Sequence, residues 1–253
     1  MPINSVVINV VDLQASIDFY QRYLAGVLVG DPDESAAVLD FETGTIQLRS
    51  LTAPVPSTWI ADDLQAGFRH LGFKVSDLEV RVASLKADGV RFHLDPIDAE
   101  GGVRISFFYD PDGTLLELVE GDLQYHEVFD RAAVDADWAL GSPTRPRLDH
   151  VAETVADLAN TEATYAAFGW TNMGGIHQPN DARGFEIAYL RSGDTSLEVF
   201  TYSRTPLVAR EPQHDAPGFF AMDIAAGIAG AGSSGSGVSV VADSDGLQRL
   251  ADR

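Results

Sequence analysis

His70-Leu-Gly-Phe-Lys-Val-Ser-Asp77 and His150-Val-Ala-Glu-Thr-Val-Ala-Asp157 are two versions of one pattern. Each is a strand-like run that opens on His, closes on Asp seven residues later and leads into a helix. Ser5-Val-Val-Ile-Asn-Val-Val-Asp12 and Ser236-Gly-Val-Ser-Val-Val-Ala-Asp243 keep the pattern with Ser in place of His. Self-similarity at a long period means a fold built by repetition. The fixed place of the His marks which copies could hold a metal.

Outward from these runs, each copy reads as strand, helix, then further strands. In copy one, Val6–Val11 is a β-branched run and Asp12 is a good helix N-cap, since its carboxylate can accept free N–H groups of the first turn. Leu13, Ile17, Tyr20 and Leu24 follow on one helix face, and Gly26 ends the helix. Strands are expected around Ala36–Phe41 and Thr45–Leu51. In copy two, Leu78, Val82 and Leu85 share a helix face, Val103–Tyr109 and Leu115–Val119 read as strands, and Asp110-Pro-Asp-Gly113 is a strong turn between them.

Residues 122–146 read as a connector with a short helix around Ala132–Trp138. Copy three runs from Arg147 to about Tyr202, with a helix from Asp157 and later strands at Phe185–Leu190 and Thr195–Thr201. Residues 203–235 read as a second connector, and Ala225–Gly237, almost all Ala, Gly and Ser, reads as flexible. Copy four then starts at Ser236 and stops inside its helix at Arg253, so its last strands are missing. In the alternative register, Gly218–Ile224 is the first strand of copy four. The expected division is 1–121 for copies one and two, 122–146 for the connector, and 147–253 for copy three, the linker and an incomplete copy four. The fold class is α+β.

Acidic residues outnumber basic ones 38 to 17, a formal net charge of -21. Such a surface repels phosphate backbones and anionic membranes, which argues against nucleic acid and membrane partners. The absence of Cys excludes disulfides, zinc–thiolate sites and thiol nucleophiles. No signal peptide and no membrane-length apolar run are visible, so a cytoplasmic location is expected. No phosphate-binding Gly-rich loop, Gly-x-Ser-x-Gly elbow or His-Glu-x-x-His helix occurs.

The repeat, with His opening the first strand and Glu in the last, resembles the vicinal oxygen chelate superfamily of glyoxalase I, extradiol dioxygenases and bleomycin-resistance proteins. The resemblance rests on the His70 and His150 runs, on Asp110-Pro-Asp-Gly-Thr-Leu-Leu-Glu-Leu118 and on Ser196-Leu-Glu-Val199. It implies paired β-α-β-β-β units curling into cups around a divalent metal. Each unit of that family lends one ligand from its first strand and one from its last. The matching positions are Ser5 and Gln47, His70 and Glu117, His150 and Glu198, and Ser236 alone in copy four.

If copies one and two share a cup, its set is Ser5, Gln47, His70 and Glu117, a poor site because Ser is a rare ligand. If copies two and three share it, the set is His70, Glu117, His150 and Glu198, which resembles that of glyoxalase I. Ligand chemistry favours the second. Two nitrogen and two oxygen donors suit Ni, Zn, Mn, Co or Fe and leave positions for a chelating substrate.

The resemblance then implies a lyase, isomerase or epimerase acting on a small oxygenated metabolite. The metal would stabilise an enediolate, and Glu117 or Glu198 would serve as proton-transfer base. A non-catalytic small-molecule binder is the alternative. An Fe(II) dioxygenase is disfavoured by the second carboxylate. Phe73, Arg104, Phe107, Tyr109, Tyr189 and Arg191 are candidate pocket residues, although aromatics on strands also serve as core. His93 and His177 are candidate secondary acid–base groups, and Gln124–Glu127 could cover the cup mouth. An incomplete copy four would leave copy one unpaired, which points to a homodimer.

Overall fold

In a computed structural model, which describes residues 2–211, 213–224 and 238–252, the repetition is present. Copy one comprises β1 (Ser5–Val10), α1 (Leu13–Leu24), β2 (Val27–Leu28), β3 (Ala36–Asp40) and β4 (Thr45–Ser50). Asp12 caps α1, its carboxylate accepting the Ala15 N–H at 3.0 Å. Ile17, Tyr20 and Leu24 are buried on the face their spacing defines. Copy two comprises β5 (Gly67–Val75), α2 (Leu78–Ala87), β6 (Phe92–Asp98), β7 (Arg104–Tyr109) and β8 (Leu115–Glu120). Here Asp77 does not cap. Its carboxylate takes Arg81 Nε at 2.6 Å, and the Leu78 N–H donates to Glu120 instead.

The connector carries β9 (Glu127–Val128), which the sequence did not suggest, and α3 (Arg131–Ala139) where a helix was expected. Copy three comprises β10 (Arg147–Thr154), α4 (Leu158–Ala166), β11 (Thr171–His177), β12 (Phe185–Ser192) and β13 (Thr195–Tyr202).

Within each of these copies the first strand runs parallel to the last: β1 with β4, β5 with β8, β10 with β13. Copies two and three then join through an antiparallel β5–β10 pair. The result is a curved nine-stranded sheet in the order β6-β7-β8-β5-β10-β13-β12-β11-β9. Hydrogen-bonded pairing therefore joins inner copy with inner copy.

Copy four differs from its expected form. It starts at β14 (Gly218–Asp223), the alternative register, and not at Ser236, which with the Ala/Gly/Ser run 225–237 lies outside the described residues. Asp243 opens no helix. It sits in a turn between β15 (Val238–Ala242) and β16 (Gln248–Asp252). β16 lies parallel to β14, the first-to-last pairing of every other copy, so the closing strand is present. Residues 224–237 stand between β14 and β15, where 11–35 hold α1 and β2 in copy one.

The unpaired copy one is likewise corrected. β14 lies antiparallel to β1 and completes a seven-stranded sheet in the order β15-β16-β14-β1-β4-β3-β2. The argument for a homodimer from an unpaired copy one therefore falls.

One main core joins both sheets, with Ile8 and Leu48 of the outer sheet and Leu71, Leu116 and Leu197 of the inner in the same buried cluster. Phe41 and Phe73 meet edge to face across it at 5.3 Å, an arrangement worth about 0.5–1.5 kcal/mol beyond burial. Among the described residues no helix is long and apolar enough to cross a membrane.

Candidate metal centre in the inner cup

The β5–β10 register places His70 opposite Ala152 and His150 opposite Gly72. The parallel pairs set Glu117 beside Gly72 and Glu198 beside Ala152. Two small residues thus lie among four large polar ones, leaving room for the four side chains to converge. A Cβ at Gly72 would overlap the His150 imidazole, so only Gly fits there. Ligand atoms of His70, Glu117, His150 and Glu198 all lie within 4.8 Å of one another, and all four residues are buried.

The separations are those of donors around a common ion. His70 Nε2 and His150 Nε2 are 3.0 Å apart. Glu117 Oε2 stands 3.2 and 3.0 Å from them, and Glu198 Oε2 3.2 and 3.3 Å. Neighbouring donors each about 2.1 Å from one divalent ion stand about 3 Å apart. Two imidazole nitrogens and two carboxylate oxygens pointing at one buried spot make a donor set that could hold a cation there. The residues present therefore fit a divalent metal.

The same groups bind one another strongly through charge. Burial alone would raise the Glu117 carboxyl, but hydrogen bonds from His150 and His70 outweigh it and hold it at about 2. Burial opposes charge on His150, yet Glu198, Asp149 and Glu117 raise its pKa well above the usual imidazole range. Asp149 bonds His150 Nδ1 at 3.0 Å, fixing the ring so that Nε2 faces the other donors. Tyr189 donates to Glu198 Oε1 at 2.7 Å and so tethers that carboxylate. His70 has no such partner at Nδ1 and is held by packing edge-on against Phe107, ring centres 4.9 Å apart.

The four side chains line a cavity of about 510 Å³. Phe107 and Tyr189 line it, as expected from the sequence. Phe73 does not. Three residues beyond His70, it falls on the other face of the strand and enters the core. Arg104, three before Phe107, likewise points away and pairs with Glu79 and Asp98. Tyr109 lies past the cup and bonds His93 Nδ1 at 3.0 Å; His93 itself lines the cup. Arg191 sits behind the wall in an ion pair with Asp137, whose carboxylate it occupies. His177 stands off the cavity beside His126, although Tyr125 of the Gln124–Glu127 run does line it.

Sequence reasoning missed Asp149, Gly72, Lys74, Arg69 and the Trp59–Asp63 segment, all in or against the cup wall. Asp149 had a signal, since a carboxylate beside a candidate ligand His is a common orienting partner. The Trp59–Asp63 loop had none.

The outer sheet repeats the geometry without the chemistry. Register puts Ser5 and Gln47 in the ligand positions of copy one, and Ala221 and Leu250 in those of copy four. Val7, Phe220, Ala221 and Leu250 close that cup as an apolar cluster.

Paired β-α-β-β-β units with a His₂Glu₂ group inside one cup define a class of cup proteins with a candidate metal centre. Residues 2–118 match the Glyoxalase/Bleomycin resistance protein/Dioxygenase superfamily, which supports the vicinal oxygen chelate resemblance. The fold is similar to that of glyoxalase I from Zea mays, with a TM-score of 0.66 at 18% identity, covering 98% of this chain and 91% of that one. Among curated proteins, it is 43% identical over 54 residues to the uncharacterized protein YaeR of Escherichia coli K12 (21% of this chain, 42% of YaeR). It is 41% identical over 59 residues to a probable chloroplastic lactoylglutathione lyase of Arabidopsis thaliana (23% of this chain, 17% of that protein). The chain thus spans less than half the length of the curated relatives it matches.

Proposed function

We propose that this chain is a divalent-metal-dependent enzyme of the glyoxalase type, acting on a small oxygenated metabolite in the inner cup. The observation that carries the reading is the convergence of His70, Glu117, His150 and Glu198 within 4.8 Å inside a substrate-sized cavity. These four residues would hold the metal. A bound divalent ion would polarise two neighbouring oxygens of the substrate.

The two carboxylates are not equivalent. Glu198 is tethered by Tyr189 through its second oxygen. Glu117 also lines the cavity, and it is hydrogen-bonded by His150 and His70, themselves ligand candidates, with no tether like that of Tyr189 on Glu198. Glu117 is therefore the carboxylate free to accept a proton from substrate, and Glu198 the one that stays in place.

Elemental analysis of protein purified without chelator tests the reading. About one divalent ion per chain is expected, lost in both His70→Ala and Glu198→Gln. Unchanged metal content in both variants overturns the site. Lactoylglutathione is the first compound to try, because of the relative's name. Glu117→Gln is expected to lower turnover at least about 100-fold, the low end for losing a positioned acid–base group. Protein that refuses added nickel, zinc, manganese, cobalt and iron would turn the reading towards a metal-free small-molecule binder.

A further inference from the structure

A second cavity, of about 310 Å³, shares the Trp59–Ala61 wall with the cup. Its other sides are the Asp112–Thr114 turn, Arg91, Arg210 and the start of β14. No metal-ligand candidate lies in it. Its polar groups divide into those already committed and those left over. Gln213 accepts from Thr58 N and Oγ1 and donates to Pro56 O. Asp112 accepts from Val11 N and Ser16 Oγ. Both are used up in holding loops together.

The groups left over can all donate. Arg210 is partly buried, its Nε has no partner among the described residues, and burial pulls its pKa down. Thr114 is 1% exposed, and its hydroxyl stands near the Asp110 carboxylate without a well-formed hydrogen bond to it or to any other described group. Arg91 lies over the Tyr109 ring at 3.7 Å, and no carboxylate among the described residues stands within ion-pair distance of it. Arg91, which is exposed, and Arg210 thus have no ion-pair partner among the described residues, in a chain where acids outnumber bases 38 to 17. The walls between them are aromatic. Trp59 packs by Phe68, and Phe68 stacks on Phe219 at 4.2 Å with planes 5° apart.

We propose that this cavity binds a small aryl carboxylate, its head held by Arg91, Arg210 and the Thr114 hydroxyl and its flat body against the aromatic wall. A carboxylate meets the planar donors of a guanidinium with two parallel hydrogen bonds. An aromatic body fills volume that a bare phosphate would leave empty. The site is separate from the metal cup and does not depend on it.

Benzoate titrated into the full-length protein at low salt tests this, read by calorimetry and by Trp fluorescence. Benzamide serves as the neutral control and inorganic phosphate as the head-only control. One-site binding with a Kd of about 1 mM or tighter is expected for a ligand this small. Arg91→Gln and Arg210→Gln should each weaken it at least about tenfold, and Thr114→Val about threefold, as charge-assisted and neutral hydrogen bonds differ. His70→Ala should leave it unchanged, whatever becomes of metal binding. Four results would each overturn the proposal: no saturation by about 20 mM, roughly twenty times the expected Kd; loss of binding in His70→Ala; indifference to both arginine variants; or benzamide or phosphate binding as well as benzoate.

Discussion

At the scale of single residues, the cup depends as much on what is small as on what is polar. Gly72 lies under the His150 ring, and any Cβ there would push the imidazole off its line. Asp149 holds the same ring from the other side. Gly72→Ala and Asp149→Asn are therefore expected to weaken metal binding about 10–100-fold, the usual size of losing an orienting partner. Metal titration with the fold checked by circular dichroism measures this; wild-type affinity in both variants would show that His150 needs no help. The four donors were legible in the sequence because a His or a Glu at one place in a repeat is unusual. Gly72 was not, because its reason is the ring of His150, 78 positions away in sequence and adjacent only after β5 and β10 pair. Phe73 was misplaced by one pleat, since counting three from His70 crosses to the other face of the strand.

At the scale of elements, one device appears twice. In Asp110-Pro-Asp-Gly113, Asp110 Oδ1 accepts the N–H groups of Asp112 and Thr114, and Tyr20 of α1 donates to Oδ2 at 3.0 Å. In Asp243-Ser-Asp-Gly246, Asp243 Oδ1 accepts from Asp245 and Leu247, and Tyr165 of α4 donates to Oδ2 at 3.1 Å. Each turn clamps the helix of the preceding copy. The second was legible as a turn by likeness to the first, but Asp243 also fitted the strand–Asp–helix pattern, and a helix start and a turn both want an Asp. The clamp has a pH signature. Burial raises Asp110 to about 6, although its hydrogen bonds with Thr114 and Tyr20 oppose this. The folded pKa lies above the unfolded value of about 3.9, so the folded state binds more protons between them. Stability is then full below about pH 4 and falls by about 3 kcal/mol as pH rises through 6. Urea unfolding at several pH values should show that loss, and Asp110→Asn should remove it; an equal pH slope in the variant would place the effect elsewhere. The second clamp adds Glu153 where copy one has Ile8. It is fully buried with neither oxygen well bonded, and burial together with nearby Asp243 raises its pKa well above normal. Its contribution carries the same sign.

At the scale of the whole molecule, sequence order and spatial order part company. Copies pair inner with inner and outer with outer, and the ligands fall only in the inner sheet. The incomplete look of copy four came from reading its closing strand as a helix; the stretch between β14 and β15 is where it is short. A metal in the inner cup would join copies two and three, each giving one His and one Glu. The main core runs through both sheets, so the outer one cannot unfold alone without exposing that shared interior. Ligand binding to the native state only adds RT ln(1 + [L]/Kd), about 4 kcal/mol at a thousandfold excess over Kd. For a chain of this size that corresponds to roughly 10 °C in Tm. Calorimetry with and without the metal should therefore show one transition moved as a unit by about that much. His70→Ala should melt at the same temperature under both conditions. Two transitions, only one of them moved by metal, would mean that the inner and outer sheets are separate cooperative units despite their common core.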